Sequence, residues 1–76
     1  MAVMKINLVS AEDLREFMNL AWNCPDDIGV HDPQGRIADA KSILGIFSLD
    51  LSKPVAVEVY SDDCDDFINE IQEYII

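Results

Sequence analysis

Residues 40–51 read Ala-Lys-Ser-Ile-Leu-Gly-Ile-Phe-Ser-Leu-Asp-Leu, and this segment predicts a short helix with a large apolar surface. Ser42 precedes the apolar run and is placed to cap the helix, because its hydroxyl can accept from the first free backbone N–H groups. The apolar positions cover most of the helix circumference instead of one stripe. They are Ile43, Leu44, Ile46, Phe47, Leu49 and Leu51. A helix this short cannot direct all of them at one sheet.

Part of this apolar surface must therefore lie outside the core. We expect Ile46 and Leu49 to be buried. Ile43, Leu44 and Phe47 then form an exposed apolar patch, and patches of a few hundred square ångströms usually mark binding sites. The sequence predicts a docking surface on this helix.

A hairpin precedes the helix and a further strand follows it. The turn between the hairpin strands is the segment Asp32-Pro33-Gln34-Gly35, which has the residues that a type I turn favours. The strand after the helix carries three valines on one face, so we expect it to be central or well covered in the sheet. These strands are predicted at residues 27–31, 36–39 and 55–60.

The two ends of the chain supply the remaining elements. Residues 3–9 alternate as a half-buried strand, and Ser10 with Asp13 forms a cap for the first helix, which ends before Pro25. Residues 61–63 are expected to cap the last helix. The apolar stripe of the first helix is Leu14, Phe17, Met18, Ala21 and Trp22. The stripe of the last helix is Phe67, Ile68, Ile71 and Ile75, with Tyr74 beside them.

The resulting order, β-α-β-β-α-β-α, predicts one α+β domain over residues 1–76. Its four-stranded sheet is mainly antiparallel, and the two long helices lie on one face. The other face is then open to water. The polar residues that fit this open face are Lys5, Asn7, Asp27, His31 and Glu58.

Charge and composition exclude several classes of partner. Fifteen acidic residues against five Lys and Arg give a net charge of −10, which opposes binding to nucleic acid or to an anionic membrane. No segment has the length and hydrophobicity of a membrane span or a secretion signal, so we expect a cytoplasmic protein. Cys24 and Cys64 are expected to be reduced thiols, with a disulfide as the minor alternative. We expect no cofactor and a monomer.

Neither of the remaining candidate sites has the pattern of a catalytic or metal centre. His31 is the only histidine, and no nucleophile and orienting group accompany it in the sequence. The acidic cluster near the last helix lacks the spacing and the glycine of a calcium loop, and it fits a helix N-terminus better. That cluster is Asp62, Asp63, Asp65 and Asp66. The sequence predicts no metal site.

Residues 39–51 resemble the regulatory-serine region of HPr, the small phosphocarrier of the bacterial sugar phosphotransferase system. The matching pattern is Lys-Ser-Ile-x-Gly-x-x-Ser-Leu, which begins at Lys41 and ends at Leu49. The element order is also that family's order across essentially the whole chain. The resemblance implies the open-faced β-sandwich of HPr.

The same resemblance suggests roles for particular side chains. Ser42 falls on the serine that the family's ATP-dependent kinase phosphorylates. Apart from the resemblance, the charge of Lys41 beside it could help to hold an added phosphate. Ile43, Leu44 and Phe47 fall on the apolar patch by which HPr proteins dock on their kinase and on a transcriptional regulator.

The joint between the first strand and the first helix departs from the family pattern. The family has Gly-Leu-His-Thr-Arg-Pro-Ala there, and its histidine accepts the phosphoryl group. Residues 9–14 read Val-Ser-Ala-Glu-Asp-Leu, so Ser10, Ala11 and Glu12 form a degenerate phosphoacceptor region. Glu12 and Asp13 would repel a phosphoryl group. This pattern is similar to the catabolite-repression paralogues of HPr, which lack the acceptor histidine and keep the regulatory serine.

The resemblance therefore predicts a non-enzymatic regulatory module that acts through Ser42 and the apolar patch. Its partner would be an HPr kinase, a transcriptional regulator or a phosphotransferase component. Two alternatives stay open. One is a phosphocarrier that uses Ser10 or His31 as acceptor, and the other is a plain interaction domain without phosphate chemistry.

Overall fold

The computed structural model describes residues 2–61 and 64–76, and the predicted α+β order is confirmed in it. A single 3₁₀ turn follows the last helix. In chain order the elements are β1 (Ala2–Ile6), α1 (Ala11–Asn23), β2 (Ile28–His31), β3 (Ile37–Asp39), α2 (Ile43–Phe47), β4 (Val55–Val59), α3 (Asp65–Glu70) and the 3₁₀ turn Gln72–Tyr74.

The sheet has the strand order β1-β4-β2-β3, and all three pairings are antiparallel. The predicted central position of β4 is confirmed. Its three valines, Val55, Val57 and Val59, are buried on the side of the sheet that the helices cover. Side chains on neighbouring strands share that side because the register pairs Met4 and Val30 with Val57.

The core lies between this side of the sheet and the helices. Phe17 of α1 and Phe67 of α3 meet edge to face, with ring centroids 6.2 Å apart and an interplanar angle of 60°. This geometry is favourable for aromatic pairs. Within residues 2–61 and 64–76, no helix has the length and apolar character needed to cross a bilayer.

Two expectations for the first strand and helix were wrong. β1 ends at Ile6 instead of residue 9, although Leu8 is still buried, so the alternating pattern continues where the chain has left the sheet. Trp22 was expected in the buried stripe of α1 but is 58% exposed, whereas Phe17 and Ala21 are fully buried. Successive side chains on a helix point about 100° apart, so Trp22 points away from the direction in which its neighbour Ala21 is buried.

The last helix also differs from the prediction. Cys64 occupies its N-cap and makes no side-chain capping hydrogen bond within the described residues. The cap was predicted at residues 61–63. Of that segment, Asp62 and Asp63 lie outside the described residues. Phe67, Ile71 and Tyr74 are buried, while Ile68 and Ile75 are only partly buried.

A buried carboxylate connects the β2–β3 hairpin to the segment that follows α2. The predicted turn is confirmed by the bond from Gly35 N to Asp32 O (3.1 Å), and Gly35 takes the left-handed conformation at φ +85°. The Asp32 side chain is shielded from solvent and accepts from Asp50 N (2.9 Å), Arg36 N (2.9 Å), Gln34 N (3.0 Å) and Arg36 Nε (3.0 Å). These bonds, led by that from Asp50 N, lower the pKa of Asp32. The network thus joins the hairpin that precedes α2 to the segment that follows α2.

Candidate functional site: an apolar surface on the second helix

Local contacts explain why α2 forms and how closely it approaches the sheet. The predicted cap is confirmed, since Ser42 Oγ accepts from Gly45 N at 3.2 Å. A side chain at Gly45 would place its Cβ 3.0 Å from Ser42 Oγ and 3.2 Å from the Cβ of Ala38 in β3. Glycine therefore allows α2 to lie directly against β3.

The apolar residues of α2 divide as the sequence predicts. Ile46 is 1% exposed and Leu49 is buried in the core. Ile43, Leu44 and Phe47 are 53%, 85% and 64% exposed. We refer to these three side chains as the apolar patch; its exposure is confirmed, and its role in docking stays a prediction.

A groove between α1 and α2 extends the apolar patch. It encloses about 480 Å³, and Ile43 and Phe47 form one wall. The indole of Trp22 contributes to the opposite wall from α1. The remaining lining residues are Ala11, Leu14, Arg15, Met18 and Asn19. Ile43, Phe47 and Trp22, each more than half exposed, thus line one groove, and a contiguous exposed apolar surface of this kind is typical of binding sites.

The segment predicted to be a degenerate phosphoacceptor region, residues 10–12, lies at one end of this groove. Ser10 Oγ accepts from Asp13 N at 3.1 Å, and Asp13 Oδ2 accepts from Val9 N at 3.0 Å. The predicted reciprocal cap is therefore present, with the carboxylate bonding one residue before the capping serine. Ser10, Ala11 and Glu12 are all exposed, and Ala11 lines the groove.

The Lys41 side chain bonds to the segment between α1 and β2. Its Nζ donates to the backbone carbonyl oxygen of Asp26 at 3.0 Å, so this ammonium is already engaged in the unphosphorylated chain. Its help in holding a phosphate on Ser42 stays a prediction. Ser42 itself is exposed at the start of α2, next to Ile43.

Comparison with solved structures relates this fold to the HPr proteins. HPr-C-His from Thermoanaerobacter tengcongensis superposes with a TM-score of 0.78 at 25% sequence identity, over 96% of this chain and 89% of that one. The phosphocarrier protein HPr from Bacillus anthracis superposes with a TM-score of 0.76 at 21% identity, over 99% of this chain and 96% of that one. The HPr-like fold expected from the sequence is thereby confirmed.

The sequence comparisons give no further assignment. No family model matches the chain, and no curated protein matches it. Among these comparisons, the likeness to HPr thus rests on three-dimensional structure.

His31 lies on the opposite side of the molecule from the groove. Its Nε2 is shielded from solvent and lies 3.1 Å from Glu58 Oε1, without the geometry of a hydrogen bond to any group in residues 2–61 and 64–76. Tyr60 Oη donates to the second oxygen of the same carboxylate at 2.6 Å, and this bond raises the pKa of Tyr60. The strand register confirms that Lys5, His31 and Glu58 occupy the open face of the sheet.

Sequence reasoning missed one wall of the groove. Trp22, Arg15 and Asn19 were not predicted to lie beside the apolar patch. A helical projection of α1 places all three near Ala11, on the flank of the stripe and away from its centre.

In the part of the chain that the structure describes, no three His, Cys, Asp or Glu side chains are arranged to hold a metal ion.

Proposed function

We propose that this chain is a non-enzymatic, HPr-like module that binds a protein partner through the apolar patch and the adjoining groove. The observation that carries the proposal is the convergence of Ile43, Phe47 and Trp22, all more than half exposed, on one groove, with the exposed Leu44 next to Ile43 in the apolar patch. Interfaces are anchored by large apolar and aromatic side chains of this kind. Phosphotransferase components, an HPr kinase and a transcriptional regulator are the partner classes that the resemblance suggests.

The chemistry at the start of α1 supports a binding role over phosphoryl transfer. The Ser10 hydroxyl and the Asp13 carboxylate are both engaged in capping the helix. Glu12 and Asp13 add negative charge where an incoming phosphoryl group would also be negative. His31, the only imidazole, faces a carboxylate on the far side of the sheet.

We further propose that phosphate on Ser42 switches the docking surface. The hydroxyl is exposed and precedes the patch residue Ile43 directly, so a phosphate would place up to about two negative charges at the edge of the apolar patch. Since Lys41 bonds to Asp26 and the chain carries a net charge of −10, the phosphate needs basic groups from the partner. The switch therefore selects partners with a basic rim.

Docking is tested by titrating the ¹⁵N-labelled chain with the HPr kinase and, separately, with the general phosphotransferase enzyme of the same organism. Amide shifts should concentrate on α2 and on the groove side of α1. Phe47→Ala should weaken binding about tenfold or more, as expected for an interface anchor. Ile37→Ala is the matched control, because Ile37 is 65% exposed on the open face of the sheet. Equal losses in the two variants, or shifts confined to the sheet, would contradict docking through α2.

The switch is tested by incubation with ATP and the same kinase, followed by measurement of the intact mass. A gain of one phosphate should be abolished in Ser42→Ala and retained in Ser48→Ala. No gain, or a gain that persists in Ser42→Ala, removes the switch. Label transferred from phosphoenolpyruvate by the general enzyme would instead establish a phosphocarrier, with Ser10→Ala and His31→Gln identifying the acceptor.

A further inference from the structure

The two cysteines, far apart in the sequence, line one small cavity. Cys24 is the C-cap of α1 and Cys64 is the N-cap of α3. Both thiols are free, both residues are at least nine-tenths buried, and the cavity between the two helix ends encloses about 310 Å³. This cavity is separate from the groove between α1 and α2.

Both cysteines lie at the ends of helices, where the backbone is less constrained than within a helix. Each cysteine lies just outside a helix, with φ/ψ of −83°/130° at Cys24 and −118°/16° at Cys64, so neither backbone is held by a helical hydrogen-bond ladder on both sides. Phe67 lines the same cavity and packs edge to face on Phe17, which holds α3 against α1. The fold thus keeps the two helix ends together whether or not the sulfurs are joined.

We propose that Cys24 and Cys64 form a reversible dithiol–disulfide pair that low-molecular-weight disulfides oxidise. One thiol loses its proton and attacks the reagent disulfide, which releases one reagent thiolate and leaves a mixed disulfide. The second thiolate then attacks the protein sulfur of that bond and releases the second reagent thiolate. The protein loses two hydrogen atoms, and the reagent disulfide is reduced to two thiols.

Acidic side chains around the cavity determine which reagent reaches it. Asp26, Asp66 and Glu70 are part of its lining, and the Cys24 thiol donates to Asp26 Oδ2 at 3.9 Å. A cationic disulfide such as cystamine is attracted by these carboxylates, whereas anionic glutathione disulfide is repelled. Cystamine should therefore react several-fold faster at low ionic strength, and the difference should shrink in high salt.

The test is oxidation of the whole folded chain with cystamine, followed by intact mass and peptide mapping. The expected product has lost the mass of two hydrogen atoms and yields one peptide pair joined through Cys24 and Cys64. Dithiothreitol should restore the original mass. Stable mixed disulfides without closure, or no reaction of the folded chain, would overturn the proposal.

A comparison with the unfolded chain shows whether the fold itself brings the thiols together. Closure from the mixed disulfide should be faster in buffer than in concentrated urea, because the folded chain holds the second thiol near the first. Slower closure in buffer than in urea would mean that the fold keeps the sulfurs apart. Cys24→Ser and Cys64→Ser should each stop at a mixed disulfide. Equal rates with cystamine and glutathione disulfide at low salt would overturn the role given to the carboxylates.

Discussion

Two adjacent residues in α2 occupy opposite environments, so one substitution at each position tests which side chain is buried and which is exposed. Ile46 is 1% exposed and Phe47 is 64% exposed. Ile46→Ala should lower the free energy of unfolding by about 2–5 kcal/mol, since it leaves a cavity in the core. Phe47→Ala should lower it by much less than the roughly 3–5 kcal/mol typical of a buried aromatic. Urea unfolding followed by circular dichroism measures both.

A large loss in Phe47→Ala would mean that the phenyl ring is packed in solution. The docking proposal would then lose its main physical support. A loss confined to Ile46→Ala leaves the binding assays on Phe47→Ala free of a folding artefact.

Asp32 ties the segment that follows α2 to the β2–β3 hairpin. Asn can offer only one of the two oxygens, so Asp32→Asn leaves two of the four N–H donors without an acceptor and removes the ion pair to Arg36. We expect this variant to unfold at lower urea concentration at neutral pH. Asp27→Asn removes the same charge from an exposed position and is the control.

The lowered pKa of Asp32 gives this prediction a pH dependence. A carboxyl whose pKa is lower in the folded chain stabilises the fold above its unfolded value of about 3.9, and that contribution is lost as the pH falls through the folded pKa. The stability difference between the wild-type chain and Asp32→Asn should therefore shrink on acidification below about pH 4. A difference that stays constant in acid would contradict the assignment.

At the scale of elements, α1 shows why part of the candidate site could not be predicted. The apolar stripe was assigned by spacing, and spacing places Trp22 in register with Met18 and Leu14. Burial depends on where the partner element lies, and α1 packs on the sheet through Phe17 and Ala21, so Trp22 falls at the edge of the contact. A single sequence carries no signal for that rotation.

α2 could be predicted more fully because it is short. It has more apolar residues than one helix face can hold, so helix geometry alone predicts that some are exposed. Capping by Ser42 was predictable because a hydroxyl side chain is preferred at the N-cap. The end of β1 could not be placed from the sequence. Alternation of apolar and polar residues indicates which side chains are buried, and Leu8 is still buried although β1 ends at Ile6.

The exposure of Trp22 has a direct spectroscopic consequence, since it is the only tryptophan. Acrylamide should quench its fluorescence in the folded chain nearly as efficiently as in the urea-unfolded chain. Phe47→Ala, across the groove, should leave quenching equal or slightly higher. Strong protection in the folded chain would show that the indole is covered, and the groove would then not be open to a partner.

At the scale of the whole molecule, the C-terminal segment closes the core and completes the edge of the sheet. Asn7 N donates to Tyr74 O at 2.8 Å, and Ile76 N donates to Lys5 O at 3.0 Å. The Tyr74 ring is buried, and Ile75 forms a bridge with Ile6. Truncation of this segment would expose both β1 and the floor of the core.

Tyr74 also sets an alkaline limit to the stability of the fold. Burial, together with the nearby carboxylate of Glu16, raises the pKa of Tyr74 far above its usual value of about 10. Above about pH 10 the unfolded chain loses the phenolic proton while the folded chain keeps it, so the free energy of unfolding decreases as the pH rises. Tyr74→Phe should flatten this decrease, and Tyr60→Phe should change it less, because Tyr60 is about half exposed. Urea unfolding between about pH 8 and pH 11 measures the slopes, and equal slopes in wild type and Tyr74→Phe would contradict burial of the hydroxyl as its cause.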